Sequence, residues 1–298
     1  MSSRSSSTSS QSSRSGSPIP QLDPSTLAIL GSFYADKAEE EQIFNDLAQR
    51  SKWSQYVDDE KPDEQESSIQ HPKMISVDEF RVGFREDWQL SQFWYSTKFA
   101  YKLAKCIHHL CSTSNRIDGV VQAGPTTEPT IAFVCCPTSF VAFTNLYPPS
   151  PGDDLKYTAL LMEHDQRFSY LPLSTRRTRY IPYDLTDPTK IPADIVGKVD
   201  LVVVDPPFLN LRTNEQVATT LRRILRTDTG KLIIITSTSL EGEEPAERNK
   251  SPLHIVYNSA PIGPLRRTQL NVEHVGLQND FACWGSWDGA ESFGHIEE

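Results

Sequence analysis

The run Val199-Asp200-Leu201-Val202-Val203-Val204 constrains this chain more than any other stretch. It is too short for a buried helix and too rich in β-branched residues to favour one. It reads instead as a central strand covered on both faces, as in parallel sheets. The strand runs into Asp205, then Pro206, Pro207 and Phe208. Both prolines lack an N–H and fix φ, so the turn is rigid. The Asp205 carboxylate and the Phe208 ring are therefore held at a set separation. They stand at the carboxyl end of a strand, where open α/β sheets take their ligands. An acidic acceptor with neighbouring carbonyls can hold an amine by its N–H groups. A ring beside it can pack on a flat base or on an aliphatic-cationic stem.

Strands and connections alternate around this centre. The pattern predicts strands over Thr130 to Cys136, Thr158 to Met162, Tyr180 to Tyr183, Val199 to Val204 and Lys231 to Thr236. A helix is expected from about Glu215 to Leu225. Leu265 to His274 and Phe281 to Trp287 are expected to close the sheet as an antiparallel pair. The fold class is α/β, a mostly parallel sheet with helices on both faces. Ahead of it lie a serine-rich tail (1–24) expected to be disordered, a helical segment (25–57) and an acidic loop (58–75). The sheet-bearing domain is expected to span 76–298. Asp23-Pro24-Ser25 is a helix start, and Leu27, Leu30, Phe33 and Tyr34 recur at helical spacing, continued by Ile43, Phe44 and Leu47. Residues 112 to 129 read as a loop. Ser91 is expected to cap a helix whose apolar face carries Phe99, Leu103, Ile107 and Leu110.

The formal net charge of −10 argues against a protein that grips many phosphates. It turns expectation toward a protein partner, in particular a basic one. Five cysteines with no CxxC pair give neither a disulfide framework nor a zinc pattern, and no metal is expected. Cys135 and Cys136 read as small buried thiols of a reducing compartment. No apolar run reaches membrane-spanning length, and the first residues carry no secretory h-region, so a cytoplasmic protein is expected.

The earlier strand ends supply a place for a nucleoside. The first is followed by Cys136-Pro137-Thr138-Ser139 without a glycine fingerprint, so Cys136 and Pro137 are expected to make the tight turn. The second ends in Glu163-His164-Asp165. Glu163 is the first choice to accept from both ribose hydroxyls and Asp165 the second; His164 is expected to face solvent. Asp184, after the third strand, is placed to accept from an adenine amine. The aromatic block Gln92-Phe93-Trp94-Tyr95 admits two readings, core packing or the lining of a cofactor or substrate mouth. His108 and His109 are expected at the surface.

Asp205-Pro206-Pro207-Phe208 matches the (D/N/S)-P-P-(Y/F) signature of amino-group methyltransferases. With Trp88-Gln89-Leu90-Ser91-Gln92-Phe93-Trp94-Tyr95 and Glu163-His164-Asp165-Gln166-Arg167-Phe168, and more weakly Phe281-Ala282-Cys283-Trp284 with Trp287-Asp288, the chain resembles the elongation factor 1-alpha lysine methyltransferases of the N6-adenine-methyltransferase-like type. The resemblance covers roughly residues 25 to 289. It implies a seven-stranded class I methyltransferase fold, S-adenosyl-L-methionine as cofactor and a lysine of translation elongation factor 1-alpha as substrate. The chain departs from the pattern in its serine tail, its acidic insertion near Asp58 and a proline-rich insertion at Pro148 to Asp154. On this reading Asp205, Pro206, Pro207 and Phe208 carry catalysis. Pro137, Glu163, Asp165, Asp184 and Asp205 hold the cofactor, and Gln92, Phe93, Trp94, Tyr95 and Phe208 meet the substrate. A monomer is expected. Two rivals remain open: an adenine N6-methyltransferase acting on DNA or RNA, and a scaffold that keeps the fold without catalysis.

Overall fold

A computed structural model describes residues 23–59, 74–113, 116–117, 120–121, 128–148, 157–171, 177–242, 250–277 and 280–295. Residues 1–22 of the serine tail, 60–73 of the acidic stretch and 149–154 of the proline-rich insertion lie outside the described residues. Contacts divide the chain after Glu39. In the first unit, helix α1 (Pro24–Asp59) begins where the Asp23 carboxylate accepts from the N–H groups of Ser25 (2.9 Å) and Thr26 (3.1 Å). These bonds satisfy donors that an uncapped first turn leaves open. In the second unit, Phe44 of the same helix meets Tyr170 edge-on at 4.9 Å and Phe84 at 6.4 Å.

The sheet has seven strands: β3 (Thr130–Val134), β4 (Thr158–Glu163), β5 (Thr178–Pro182), β6 (Leu201–Val204), β7 (Lys231–Ser237), β8 (Arg266–Arg267) and β9 (Phe281–Gly285). A separate hairpin of β1 (Arg116–Ile117) and β2 (Val120–Val121) lies where a plain loop was expected. The spatial order is β5-β4-β3-β6-β7-β9-β8. The first five of these run parallel, and β9 is antiparallel to both β7 and β8. The expected closing pair is thus present. The order reverses between β3 and β6, which puts the carboxyl ends of these two strands at the switch point where such sheets bind ligands.

Period-2 alternation splits each central strand between two cores. Leu201 and Val203 join Phe80, Phe99 and Phe140 on one face, whereas Val202 and Val204 join Val217, Leu221 and Tyr257 on the other. Each such aliphatic side chain taken from water contributes roughly 1.5–3 kcal/mol. The first face is covered by α2 (Val77–Gly83), α3 (Thr97–Thr113) and α4 (Pro137–Leu146), the second by α5 (Leu211–Ile224) and α6 (Pro252–Tyr257). A capping box starts α2, with Ser76 Oγ accepting from Glu79 N–H at 3.2 Å and Glu79 Oε2 accepting from Ser76 N–H at 2.8 Å.

Three local expectations need correcting. Ser91 does not cap α3; Ser96 does, its Oγ accepting from Phe99 N–H at 3.1 Å. Phe99, Leu103 and Ile107 are buried as the periodicity requires. The tight turn after β3 falls on Cys135, at φ 55°, and Pro137 already stands in the first turn of α4. His108 is half-buried, its ring stacked on Tyr147 at 4.1 Å and 7°, while His109 is exposed.

Candidate active site

The carboxyl ends of β3, β4, β5 and β6 open into one cavity of about 500 Å³, whose wall is mostly apolar. Asp205, Pro206, Pro207 and Phe208 form one side of it, and Cys135 to Thr138 form another. Glu163 and Asp184 come from the neighbouring strand ends, and residues 90–95 close the front. Among the described residues three non-glycines have positive φ: Ser91 (54°), Cys135 (55°) and Phe208 (57°). All three line this cavity. Strained backbone of this kind persists where the surroundings over-determine it, and it gathers at ligand sites. Two of these residues are joined directly, Ser91 Oγ accepting from Phe208 N–H at 3.3 Å. This bond presents the Phe208 ring, 44 % exposed, at the mouth.

Asp205 continues the ladder beyond β6, its N–H donating to Val134 carbonyl at 3.2 Å. Its carboxylate is anchored by Tyr95, whose hydroxyl donates to Oδ2 at 2.6 Å. Burial, reinforced by the Asp205 charge, holds the Tyr95 hydroxyl protonated far above its usual range. His274 brings Nε2 to 3.7 Å from the same Oδ2. It lies in the connection between β8 and β9, and sequence reasoning passed it over. No periodicity or motif marks it, although it follows an acidic residue in a segment expected to pair.

Glu163 ends β4 with its side chain buried, and Oε2 accepts from His164 N–H at 2.6 Å. Burial pushes its carboxyl up to about 7. His164 lies at the surface. Asp184 is exposed and caps its own turn, accepting from Thr186 N–H (2.8 Å) and Thr186 Oγ1 (2.6 Å), which hold its carboxyl low.

Of the expected site residues, Asp165 is directed elsewhere, whereas Trp94 lines the cavity but is buried, its indole packed into the core. Asp165 does not face the cavity. Arg167, two residues on, grips it through Nε (2.9 Å) and Nη2 (2.7 Å) to Oδ2, and Gln92 Nε2 donates to the same oxygen at 3.3 Å. Against the opposing pull of burial, these donors keep the Asp165 carboxyl low. The Trp94 indole belongs to the core: Nε1 donates to Phe84 carbonyl at 2.6 Å, and the ring packs on Phe80 at 5.2 Å and Phe168 at 6.2 Å. The aromatic block is therefore divided. All four residues line the cavity, but Trp94 packs its indole into the core, and Phe93 stands edge-on to the exposed Trp88 at 4.8 Å.

Gln92 Oε1 and Thr138 Oγ1 are buried without a protein partner, and both residues line the cavity. Buried polar atoms of this kind call for a ligand that completes them. Together with the Glu163 carboxylate and the N-terminus of α4, they suit a molecule carrying hydroxyl, amino and carboxylate groups. S-adenosylmethionine is such a molecule, and the residues present fit it.

Strand order, switch-point cavity and proline-rigidified acidic loop together define a class I methyltransferase. Residues 86–289 match the family described as "Probable N6-adenine methyltransferase", and the chain belongs to that family. Among curated proteins it is similar to a protein-lysine N-methyltransferase of Caenorhabditis elegans, with 25 % identity over 90 % of this chain and 94 % of the relative. It is also similar to protein-lysine N-methyltransferase EFM5 of Saccharomyces cerevisiae (27 %, 90 % and 92 %) and to EEF1A lysine methyltransferase 1 of Mus musculus (27 %, 91 % and 93 %).

Proposed function

We propose that this chain is an S-adenosylmethionine-dependent protein-lysine N-methyltransferase whose substrate is a lysine of translation elongation factor 1-alpha, and that it works as a cytoplasmic monomer. The observation that carries the reading is the Asp205 carboxylate, clasped by Tyr95 at the wall of an apolar cavity that also holds the buried Glu163. The names of three relatives matching nine-tenths of the chain give the acceptor class. The net charge of −10 suits a basic protein partner. No helix among the described residues is long and apolar enough to cross a membrane.

In this reading Glu163 accepts from the ribose hydroxyls, Asp184 takes the adenine amine, and the Cys135–Thr138 turn with Gln92 cradles the rest of the cofactor. S-adenosylmethionine, when bound, supplies a methyl group on a sulfonium, already activated for transfer. What remains for the protein is orientation and a dry site. Asp205 and the Pro206 carbonyl accept the N–H groups of the incoming amine and aim its lone pair inward. The Asp205 charge also stabilises the cation formed as the methyl arrives. Phe208 flanks the aliphatic stem, and the apolar wall favours the neutral amine over the ammonium.

A nucleic-acid adenine could meet the same acidic loop, and the family description names that chemistry. The full-length relatives favour lysine. Cell extract given a radiolabelled methyl donor and the purified chain separates the two. Label on a protein of the elongation factor's size, lost to protease and kept after nuclease, is the expected outcome. Label lost only to nuclease would replace the lysine reading by the adenine one.

A further inference from the structure

A lysine acceptor raises a requirement that an adenine does not. Its amine is an ammonium at neutral pH, with a reference pKa near 10.4, and it must give up a proton before it can attack. The site has several groups that can hold protons, and most are already engaged. Tyr95 and the thiols of Cys135 and Cys136 are kept protonated by burial. Glu163 and His164 stand at the end of β4. In the sheet β4 is separated from β6 by β3, which puts these groups two strand spacings, roughly 10 Å, from the Asp205 loop. Asp184 lies farther still, beyond β5, and is tied to Thr186.

His274 is the exception. Its side chain is only 4 % exposed, lines the cavity and reaches Asp205 Oδ2 at 3.7 Å. Although it sits between strands, its backbone is held firmly. Tyr95 and His274 form an antiparallel bridge, Ser96 N–H donates to Glu273 carbonyl at 2.9 Å, and Val275 N–H donates to Trp94 carbonyl at 3.0 Å. The imidazole is wedged between Tyr95 (4.8 Å) and Phe281 (4.3 Å). The titratable groups facing it are Asp205 from the loop after β6 and Tyr95 from the segment before α3. The neighbouring Glu273 carboxylate is turned away, accepting from Ser96 Oγ at 3.1 Å. Cys136, beside Asp205 at the start of α4, donates its S–H to Val203 carbonyl at 3.3 Å.

We infer that His274 is the proton acceptor that converts the substrate ammonium to the amine, and that Tyr95 is a positioning residue fixing Asp205 for both. The inference rests on the lysine reading above. Tyr95 and His274 both approach Oδ2, so Oδ1 is left to receive the substrate. One N–H bond of the ammonium breaks and its proton passes to Nε2, leaving the electron pair on nitrogen; with the donor bound, that pair would form the N–C bond as the methyl's C–S bond breaks, the C–S pair going to sulfur and the sulfonium leaving as a neutral thioether. The imidazolium so formed lies against the Asp205 carboxylate, which stabilises it. A nucleic-acid acceptor would need no such base before attack, since an exocyclic adenine amine is already neutral.

The test uses the full chain with elongation factor 1-alpha and a radiolabelled donor, following initial rates across pH for wild type, His274→Asn, His274→Gln and Tyr95→Phe. Wild-type transfer is measured first, and its absence would sink the lysine reading and this inference with it. Given transfer, both His274 variants should lose roughly 100-fold in kcat near neutrality. Their rates should then climb about tenfold per pH unit toward the lysine's own range, closing the gap with wild type. The KM for S-adenosylmethionine should not move. Tyr95→Phe should lower kcat by the same factor at every pH. His274 variants that keep wild-type rates, or that lose a constant factor at all pH values, would overturn the base role while leaving the lysine reading intact. Should His274→Asn melt below assay temperature, the longer, isosteric-in-reach His274→Gln decides alone.

Discussion

Burial at Glu163 ties cofactor affinity to pH. Its carboxyl rises from an ordinary 4.5 to about 7 because the side chain lies inside the cavity wall. One pKa unit is about 1.4 kcal/mol, so ionising Glu163 in the ligand-free fold costs roughly 3 kcal/mol. The sign follows from proton binding. Below 4.5 the group is protonated folded and unfolded alike, and folding is indifferent to it. Between 4.5 and about 7 the folded chain keeps a proton that the unfolded chain releases, so stability falls as pH rises. Above about 7 the loss is complete. Cofactor hydroxyls donating to the ionised carboxylate reverse part of that penalty, so binding should release a proton and tighten with pH. Glu163→Gln keeps the shape and removes the charge. Without ligand it should melt higher than wild type at alkaline pH, by up to roughly 3 kcal/mol in stability. Its affinity for S-adenosylmethionine should drop by about 2 kcal/mol, roughly 30-fold, the worth of hydrogen bonds to a charged group. Calorimetric titration and thermal melts between about pH 6 and pH 8 read both effects. A Gln variant that binds as tightly as wild type at the upper pH, or a wild-type affinity flat across the range, would refute the ribose role given to Glu163.

Asp205→Ala should abolish turnover while cofactor binding, measured by the same titration, stays close to wild type; retained turnover would remove the residue from catalysis. Asp165→Asn should leave cofactor affinity nearly unchanged, because Arg167 and Gln92 hold that carboxylate away from the cavity. A large loss of affinity on titration would show it reaching the ligand after all. Trp94→Ala should destabilise the fold by about 3–5 kcal/mol in denaturant unfolding, as expected for a large aromatic removed from a core. A variant of normal stability but impaired KM for the protein substrate would show that Trp94 serves substrate binding rather than the core.

The central strands announce themselves in sequence because burial on both faces demands unbroken β-branched runs, and Val202 to Val204 feed two cores at once. Asp205 to Phe208 was legible for a related reason: two prolines after such a strand leave little freedom at its end. Side-chain direction beyond the strand ends was not legible. Glu163 and Asp165 are two residues apart and look equivalent, yet the second lies past the strand, where nearby Arg167 captures it. Trp94 and Tyr95 are adjacent and aromatic, and only the bridge between Tyr95 and His274 decides which one meets Asp205. The turn after β3 was displaced by one residue, since Cys135 adopts a positive φ that its side chain disfavours. His274 stayed hidden because its partners are remote in the chain and its own segment has no period.

Methylation of a protein lysine at this acidic loop is what distinguishes the chain from an adenine methyltransferase. Its most direct test is mass spectrometry of purified elongation factor 1-alpha incubated with the chain and S-adenosylmethionine. A methyl group is expected on a lysine of the factor with wild type and none with Asp205→Ala. An unmodified factor, alongside label in nucleic acid from the same extract, would contradict it.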